Sequence, residues 1–465
     1  MKRRIVLLLA ALALAPADEC KATVQSATPF ADNMVLQRDR PVPVWGRADP
    51  GESVTVSFAG QKKTTTAGAD GTWRIDLDKM PASKENRTMT IAGWSNTEEI
   101  KNVLVGEVWF ASGQSNMECP IWGDNPRYRD ANGAIMTQIT RRPLIRYVNN
   151  GSCHSSEPRL GWKAAWRQAV PQSFKEKTLS AVAFYFALEI YGALEIPVGI
   201  IESSRGGSRI EYWTPPSSGH PPSSFKPTLF NGTVAAFAPF AVRGLIWYQG
   251  CNNAADGESY AAKMHALYNG WAKAFENQEL RLYFVQLAPY KNDFHLVRLG
   301  QAKFAAEEKN AAMAVACDAG NLHDIHPNGK EIIAKRLAIL ALKRDYGFTD
   351  IVADSPTLEK WRVENGKFIL HFNNATGWYI YRPDATTDNL GFEIAGSDGK
   401  FVPAKLVNEI DKRGSVAGSR LVIAADGIQE PCQLRYLATK PWTGALYSSD
   451  SALPLGPLAI TNVER

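Results

Sequence analysis

The sequence predicts an α/β protein in which a doubly wound, mainly parallel sheet is flanked by all-β segments at both ends of the chain. From residue 102 to residue 349, short apolar runs rich in β-branched residues alternate with longer amphipathic stretches. This alternation is typical of strands connected by helices. On either side, residues 21–101 and 355–465 show period-two patterns and turn dipeptides, which favour antiparallel strands.

The composition is that of an ordinary globular protein. Of the 465 residues, 45% are hydrophobic and 21% are charged, so the chain can bury a large core and is long enough for two or three domains. The formal net charge of +5 comes from 52 basic and 47 acidic residues spread along the chain, without a long basic run. We therefore expect no nucleic-acid partner.

The first 17 residues have the pattern of a secretory signal peptide. A basic start at residues 2–4 precedes the apolar run IVLLLAALALA, and small residues follow at positions 15–17. No other segment approaches the ~20 apolar residues of a membrane span. We expect an exported protein, secreted or periplasmic, with no membrane span, whose six cysteines lie in a compartment that permits disulfides. Their spacing predicts no pairing and shows no zinc pattern.

Residues 21–101 predict a small antiparallel β-sandwich. The runs SVTVSFAG and TWRIDL are rich in strand formers, and Asp70-Gly71 separates TWRIDL from the preceding KTTTAG. An Asp-Gly pair between alternating runs favours a tight hairpin turn. We therefore expect the segments before and after Asp70-Gly71 to pair with each other.

The middle region, residues 102–349, supplies the central sheet. Six runs predict buried strands: LVGEVWFA (104–111), LIRYV (144–148), PVGIIES (197–203), RGLIWYQ (243–249), LRLYFVQLA (280–288) and AMAVAC (312–317). TLSAVAFYFALEIYGAL and NGKEIIAKRLAILALKR predict helices. In the second helix the apolar residues recur at helical spacing, and the basic residues fall outside that stripe. The stripe is Ile333, Leu337, Leu340 and Ala341, and the basic residues are Lys330, Lys335, Arg336 and Lys343.

Residues 355–465 return to β signals. Asn365-Gly366 lies between WRVE and KFILHF, and Asp398-Gly399 lies between FEIAG and KFVPA, and both dipeptides predict hairpins. Two arrangements are compatible with the pattern: a second all-β domain, or a return of the chain to the N-terminal one.

Ser115, in GQSNM after the first central strand, is the candidate nucleophile. In an open α/β sheet, ligands bind at the carboxyl ends of the strands, which is where LVGEVWFA stops. A serine hydroxyl becomes a nucleophile only with a base, a group that orients the base, and donors for an oxyanion. The alternative is that SGQSN merely caps a helix, because Ser and Asn are common caps.

Two further motifs follow predicted strands and offer oxyanion donors. In ESSRGGSRIEYW, the pair Gly206-Gly207 lets backbone N–H groups approach a ligand, and Gly207 is the candidate donor. In WYQGCNN, Gln249 and Asn253 offer side-chain N–H groups. Taken singly, a double glycine is usually a turn and each amide a structural hydrogen bonder.

A third motif, DAGNLHDIHPNGK, supplies the candidate base. His326 precedes Pro327 at the start of the last central helix, from which the imidazole can face the same sheet edge. Asp324 or Asp318 could hold the imidazole in the required tautomer. A metal site formed by His323, His326 and the two aspartates is the rival interpretation, although a single loop motif without a second paired one predicts no metal.

These motifs together resemble the sialate O-acetylesterase family of carbohydrate esterases, a branch of the SGNH hydrolases. The resemblance rests on GQSNM, SSRGGSRIEYW, WYQGCNN and DIHP, and it covers nearly the whole chain after the signal peptide. It implies an SGNH-hydrolase-like core and a serine esterase that removes O-acetyl groups from sialic acid or a related sugar without a cofactor or metal. Carried over by position, Ser115 is the nucleophile, His326 the base, and Ser115, Gly207 and Gln249 or Asn253 the oxyanion donors.

Two positions depart from the family pattern. Cys251 stands where the family usually has a glutamate after QG. The wider superfamily places an aspartate three residues before the histidine, but that position is His323, and Asp324 lies two residues before. The third member of the triad therefore stays open between Asp324, Asp318 and a backbone carbonyl.

The substrate is the other open question. Sialic acid carries a carboxylate, which an arginine recognises well, and Arg205 and Arg209 flank the double glycine. An acetylated sugar or glycan is the expected partner, with acetylated xylan or another polysaccharide as the alternative to sialic acid. A non-catalytic glycan-binding protein on a decayed esterase core is the alternative from another functional class.

Overall fold

The computed structural model describes residues 24–123, 130, 132–133, 135–136, 140–160, 162–216, 225–381, 386–438 and 446–461. The predicted signal peptide, residues 1–17, lies outside the described residues. Among the helices of the described ranges, none is both long and apolar enough to cross a membrane.

The N-terminal region consists of short strands in two sheets. The strands are β1 (Gln25–Ser26), β2 (Val35–Gln37), β3 (Val42–Arg47), β4 (Ser53–Phe58), β5 (Gln61–Thr66), β6 (Thr72–Leu77) and β7 (Ser83–Ala92). β1, β3 and β6 form one antiparallel sheet, while β4 pairs with β5 and β7 in another. The predicted hairpin at Asp70-Gly71 is wrong, because β5 and β6 belong to different sheets and the turn carries the chain from one to the other.

One long strand, β8 (Thr97–Gly113), connects this region to the central sheet. Its first half pairs antiparallel with β7, and Leu104–Gly106 pair in parallel with β2. From Val103 onward all its residues are buried, as expected for a strand covered on both faces. The strand runs without a break across the position where the sequence predicts a domain boundary, between residues 101 and 102.

The central region alternates helices and strands. After β8 the chain forms α1 (Ser115–Glu118), β9 (Arg142–Asn149), β10 (Arg167–Ala169), α2 (Pro171–Glu176), α3 (Ala181–Leu194), β11 (Val198–Ser204), β12 (Gly244–Tyr248), α4 (Tyr260–Ala274), β13 (Arg281–Val285), α5 (His295–Glu307), β14 (Ala311–Ala314) and α6 (Lys330–Asp345). The strand order is β10-β9-β11-β8-β12-β13-β14, and every neighbouring pair from β9 to β14 is parallel. All six predicted central strands are confirmed. The doubly wound arrangement of helices stays a prediction.

The helices of the central region pack in pairs, α3 against α6 and α4 against α5. Helix α3 begins after Ser180, whose hydroxyl accepts a hydrogen bond from the N–H of Ala183 at 3.2 Å, an ordinary N-cap. In α6 the predicted apolar stripe is buried. Two of the basic residues outside that stripe, Lys330 and Arg336, are buried as well, because each has a specific polar partner, described below.

The C-terminal region is all β. Its strands are β15 (Thr357–Glu364), β16 (Lys367–Asn373), β17 (Gly377–Ile380), β18 (Phe392–Ala395), β19 (Phe401–Leu406), β20 (Ser415–Ala417), β21 (Arg420–Ala424), β22 (Gln433–Tyr436), β23 (Leu446–Ser448) and β24 (Leu458–Ile460). They form a seven-stranded and a three-stranded antiparallel sheet, and the described strands pair only among themselves. Both predicted hairpins are confirmed, since β15 pairs with β16 across Asn365-Gly366 and β18 with β19 across Asp398-Gly399.

Candidate active site

The carboxyl ends of three neighbouring strands lie level with one another. In the parallel register, Gly113 of β8 stands opposite Ser204 of β11 on one side and Tyr248 of β12 on the other. The chain segments that follow these residues therefore emerge at one edge of the sheet. They are the three motifs GQSN, RGGS and QGCNN, so the structure brings together the stretches that the sequence analysis singled out.

Ser115 opens α1 immediately after β8 and is half-buried. The turn into α1 requires glycine at position 113, where φ is +146° and a Cβ atom would lie 2.2 Å from the carbonyl oxygen of Tyr248. Beyond that point the N–H of Gln114 donates to the same carbonyl at 3.0 Å. The side-chain oxygen of Gln114 accepts from the N–H of Gly250 at 2.9 Å. The turn that carries the candidate nucleophile is thus held by hydrogen bonds to the end of β12 and to the residues that follow it.

The double-glycine loop lies directly beside Ser115. A Cβ atom on Gly206 would stand 3.6 Å from the Cβ of Ser115. The N–H of Gly206 donates to a carboxylate oxygen of Glu118 at 2.6 Å, so this N–H is already used. Gly207 has a φ of +68°, a backbone conformation that glycine adopts without strain. Gly207 is also exposed. Its N–H is therefore the better candidate of the two for an oxyanion.

Gln249 and Asn253 are fully buried and hydrogen-bonded to each other. The amide nitrogen of Gln249 donates to the oxygen of Asn253 at 2.7 Å and to the carbonyl of Ser208 at 3.1 Å. The amide nitrogen of Asn253 donates to Glu211 at 3.1 Å and to Asp256 at 2.5 Å. Both amides therefore direct their N–H groups to protein acceptors behind the double-glycine loop.

Arg209 belongs to this same polar network. Its guanidinium binds Glu211 at 3.0 Å and both oxygens of Asp256 at 3.0 and 3.1 Å, and Lys263 binds the same two carboxylates at 2.7 Å. Burial opposes ionisation of Glu211, but hydrogen bonds from Lys263, Arg209 and Asn253 lower its pKa to about 2. The charges of two cations and two anions are thus satisfied internally.

Arg205 differs from Arg209 in its surroundings. It is exposed, and its guanidinium donates a long hydrogen bond of 3.4 Å to the hydroxyl of Ser152. Its backbone N–H donates to the carbonyl of Gly113 at 3.0 Å, which fixes its position at the sheet edge. Of the two candidate arginines, Arg205 is the one with charge available to a ligand.

His326 lies in the loop before α6, with its side chain 26% exposed. The nearest acidic group on its own loop is Asp324, whose Oδ1 accepts the backbone N–H of His326 at 2.8 Å and lies 3.9 Å from the imidazole Nδ1. Burial, followed by the charge of Lys330, lowers the pKa of His326, while Asp324 opposes the shift. A lowered pKa keeps the imidazole neutral, the form that a general base requires.

Asp318, the other candidate carboxylate, is engaged elsewhere. It forms two hydrogen bonds of 2.6 Å with Arg336 of α6 and accepts the hydroxyl of Tyr447 at 3.0 Å. Both side chains of the ion pair are 7% exposed. The structure therefore places Asp318 in a buried contact between the central region and the C-terminal strands.

Two residues near His326 were missed by the sequence analysis. Asn116 donates to the carbonyl of Ile325 at 3.0 Å and accepts from the ammonium of Lys330 at 2.5 Å. The signal was present, since Asn116 follows the candidate nucleophile inside GQSNM and Lys330 follows His326 by four residues. Sequence periodicity assigned Lys330 only to the polar side of a helix.

Glu202 is a buried carboxyl group on β11, two residues before the end of the strand. It is 3% exposed and accepts a short hydrogen bond from the hydroxyl of Ser204. Burial raises the pKa of Glu202 to about 8, with a smaller contribution in the same direction from the negative charge of Glu118. Near neutral pH this carboxyl group is therefore largely protonated.

Side chains that commonly bind metals do not form a candidate metal site within the described ranges. No group of three or more His, Cys, Asp or Glu residues there has an arrangement that could hold a metal ion, and His323 is exposed. The five described cysteines are Cys119, Cys153, Cys251, Cys317 and Cys432, and each is a free thiol.

A family model and the similar proteins of known function all point to sialic acid acetylesterases. The family model described as "Carbohydrate esterase, sialic acid-specific acetylesterase" matches residues 105–340. The sialate O-acetylesterase of Homo sapiens is 26% identical over 485 residues, which cover 92% of this chain and 90% of the relative. The enzyme of the same name from Rattus norvegicus is 27% identical over 520 residues, with 92% and 93% covered.

A solved structure agrees with the sequence relatives. A carbohydrate acetylesterase from Xanthomonas citri superposes with a TM-score of 0.85 at 30% identity, covering 94% of this chain and 99% of the other. The family model spans more than half of the chain and includes the GQSNM, double-glycine and QGCNN motifs together with His326. The chain is therefore an esterase, and it belongs to the sialic acid-specific acetylesterase family of carbohydrate esterases.

Proposed function

We propose that this protein is an exported sialate O-acetylesterase that forms an acyl-enzyme on Ser115. The observation that carries the proposal is the meeting of three motifs at one sheet edge, where Gly206 lies against Ser115 and Asn116 binds the loop of His326. Serine esterases need this combination of a nucleophile, backbone donors and a neutral imidazole close together.

The mechanism follows the two steps of acyl transfer. The hydroxyl of Ser115 attacks the acetyl carbonyl while His326 accepts its proton, and His326 then returns that proton to the leaving sugar oxygen. In the second step His326 takes a proton from water, which attacks the acyl-enzyme, and acetate leaves as Ser115 regains its proton. Asp324 is the proposed group that orients His326 and stabilises the imidazolium.

The oxyanion in each step would be held by backbone N–H groups of Ser115 and Gly207. The sequence also predicts Gln249 and Asn253 as side-chain donors to the oxyanion. Their N–H groups are donated to protein acceptors, so we assign them to holding the double-glycine loop in place. A direct donation by either amide would require it to leave one of these hydrogen bonds.

The test of the nucleophile uses a simple aryl acetate. Ser115→Ala should lower kcat by several orders of magnitude with nearly unchanged Tm, because a hydroxyl is lost from a half-buried site and not from the core. An organophosphonate should label Ser115, as mass spectrometry of the modified peptide would reveal. Labelling of another serine, or full activity of Ser115→Ala, would exclude this mechanism. A wild type that releases no acetate would instead favour the non-catalytic glycan-binding alternative.

The sialate assignment is supported by the named activity of the relatives and by the exposed Arg205 beside the candidate site. If Arg205 binds the sugar carboxylate, Arg205→Ala should raise KM for O-acetylated sialic acid about tenfold or more. KM for acetylated xylose, which has no carboxylate, should stay unchanged. A preference of the wild type for acetylated xylan, with no effect of Arg205→Ala on any substrate, would identify a polysaccharide esterase instead.

Export is proposed from the signal-peptide pattern of residues 1–17. Expression of the full chain should yield a periplasmic or secreted product that begins near Asp18. N-terminal sequencing of the product measures this directly, and an uncleaved protein in the cytoplasm would contradict it.

A further inference from the structure

The loop that carries His326 is hydrogen-bonded on both sides of this residue to a single side chain, that of Asn116. The side chain of Asn116, 2% exposed, binds this loop at two points. Its nitrogen donates to the carbonyl of Ile325 at 3.0 Å, immediately before His326, and its oxygen accepts from the ammonium of Lys330 at 2.5 Å, four residues after His326. One amide adjacent to Ser115 therefore fixes both flanks of His326.

Lys330 is an unusual residue for a structural hydrogen bond. It is 2% exposed, and no carboxylate among the described residues lies within salt-bridge distance of its ammonium nitrogen. The ammonium lies 5.8 Å from the centre of the Tyr248 ring, and the backbone N–H donates to Asp130 at 3.2 Å. Burying a cation without a paired anion is costly, and a neutral amide could make a hydrogen bond to Asn116 at lower cost.

The charge of Lys330 acts on His326. After burial, this charge is the second cause of the lowered pKa of His326, and Asp324 opposes it. The groups that face Lys330 are Cys119, Asp130, Cys251 and Asp324, and burial lowers the pKa of Lys330 itself. A positive charge beside the imidazole disfavours imidazolium in the free enzyme, so more of the enzyme carries the base in its neutral form.

We propose that Asn116 and Lys330 form one positioning unit for the esterase reaction, which holds the His326 loop at its working distance from Ser115. The inference rests on the proposed roles of Ser115 and His326. Neither Asn116 nor Lys330 needs to touch the substrate. Their effect passes through the place and the protonation of His326.

Lys330→Met tests the unit by removing the charge and the hydrogen bond while keeping an unbranched side chain. We expect kcat for an aryl acetate to fall about 10²-fold, the usual cost of a small misplacement of a reacting group, with little change in KM. The acid limb of the kcat/KM profile should move to higher pH, because the pKa of His326 rises when the neighbouring positive charge is lost. Lys335→Met, an exposed lysine on the same helix, is the matched control and should change none of these quantities.

Asn116→Ala tests the same unit from the other side and also decides the question if Lys330→Met fails to fold. It should lower kcat by a similar factor, while the charge of Lys330 remains. In the double variant the two losses should not add, because residues that act as a unit are non-additive. A folded Lys330→Met with wild-type kcat and an unmoved acid limb would overturn the proposal, as would wild-type kcat in Asn116→Ala.

Ser115→Ala in the same assay distinguishes a wrong nucleophile assignment from a wrong positioning role. If Ser115→Ala is active, the proposed nucleophile is wrong and the positioning unit has no reaction to serve. If Ser115→Ala is inactive while both unit variants behave as wild type, only the positioning role is wrong.

Discussion

The two acidic residues near His326 differ in what they already bind. Asp318 is held by two hydrogen bonds from Arg336 in a buried pair. The side chain of Asp324 is 44% exposed, and it accepts a hydrogen bond from the backbone N–H of His326 itself. A carboxylate 3.9 Å from Nδ1 can reach hydrogen-bond distance through a small side-chain rotation, whereas Asp318 would have to break its ion pair. Asp324 is therefore the better candidate for orienting the imidazole.

We predict opposite phenotypes for the two aspartates. Asp324→Asn should lower kcat by about 10⁴-fold, the loss expected when a triad carboxylate is replaced and the imidazole adopts the wrong tautomer. Asp318→Asn should lower the free energy of unfolding by about 3 kcal/mol, because a buried ion pair is broken, with kcat almost unchanged. Parallel measurements of turnover and denaturant unfolding give both quantities. Small, equal losses of kcat in the two variants would mean that the enzyme works as a Ser–His pair.

At the scale of single residues, the sequence analysis selected residues that stand in motifs of recognisable chemistry and missed two residues whose proposed role depends on tertiary contacts. Ser115 and His326 stand in motifs with typical neighbours. Asn116 and Lys330 are joined by a hydrogen bond across 214 positions in the chain, and no local pattern records such a contact. A buried lysine in particular looks in sequence like any other polar residue of an amphipathic helix.

At the scale of elements, local turn chemistry predicted some strand pairs and not others. Asn365 and Gly366 both have positive φ, and β15 and β16 pair directly across them, so the backbone twist of the turn matches that of the hairpin. Asp70-Gly71 also forms a turn, in which Asp70 accepts the N–H of Thr72 at 3.0 Å. The strands on its two sides pair instead with β3 and β4. A turn motif specifies a change of direction, while the choice of partner depends on the burial of each strand's faces.

The central strands were predicted well because burial on both faces leaves a clear record in sequence. β12, β11 and the part of β8 from Val103 onward are made mainly of apolar and small residues, and every residue in them is buried. The register that brings their ends level could not be predicted from such runs. It requires close backbone approaches, of which Gly113 against Tyr248 is the clearest.

At the scale of the whole molecule, the N-terminal and central regions share one continuous core. Buried residues from Val24 to Ala353 form a single hydrophobic cluster, and a second cluster lies mainly in the C-terminal strands. The change in pattern near residue 101 lies a few residues before the point where β8 changes partners. β8 pairs with β7 and β2 up to residue 106 and with β11 and β12 from residue 107 onward, and the strand itself continues. The residue pattern of a sequence can show that the surroundings of a strand change, but it does not show that the strand continues through the change.

Two groups near the candidate site, Glu202 and His326, should contribute titrations of opposite sign to the pH response of the molecule. In the folded protein the pKa of Glu202 is raised to about 8 from 4.5, so the native state retains a proton that the unfolded chain releases. Its contribution to stability is therefore greatest below about pH 4.5 and is lost as the pH rises towards 8. The pKa of His326 is lowered from 6.5, so the unfolded chain binds a proton at this residue before the native state does as the pH falls. The contribution of His326 to stability is therefore lost towards acid pH. Activity, which needs the neutral imidazole, should rise through an acid limb centred below pH 6.5.

Glu202→Gln isolates the first of these titrations. Because the amide cannot ionise, the variant should unfold at a higher Tm than wild type at pH 8 and at nearly the same Tm at pH 4.5. The acid limb of kcat/KM, which belongs to His326, should stay in place. Calorimetry from pH 4.5 to 8.5 measures the first effect, and Glu157→Gln, which removes an exposed carboxylate, serves as the control. A Tm difference that is constant with pH would show that Glu202 is ionised in the native state, in which case another group must limit stability in mild alkali.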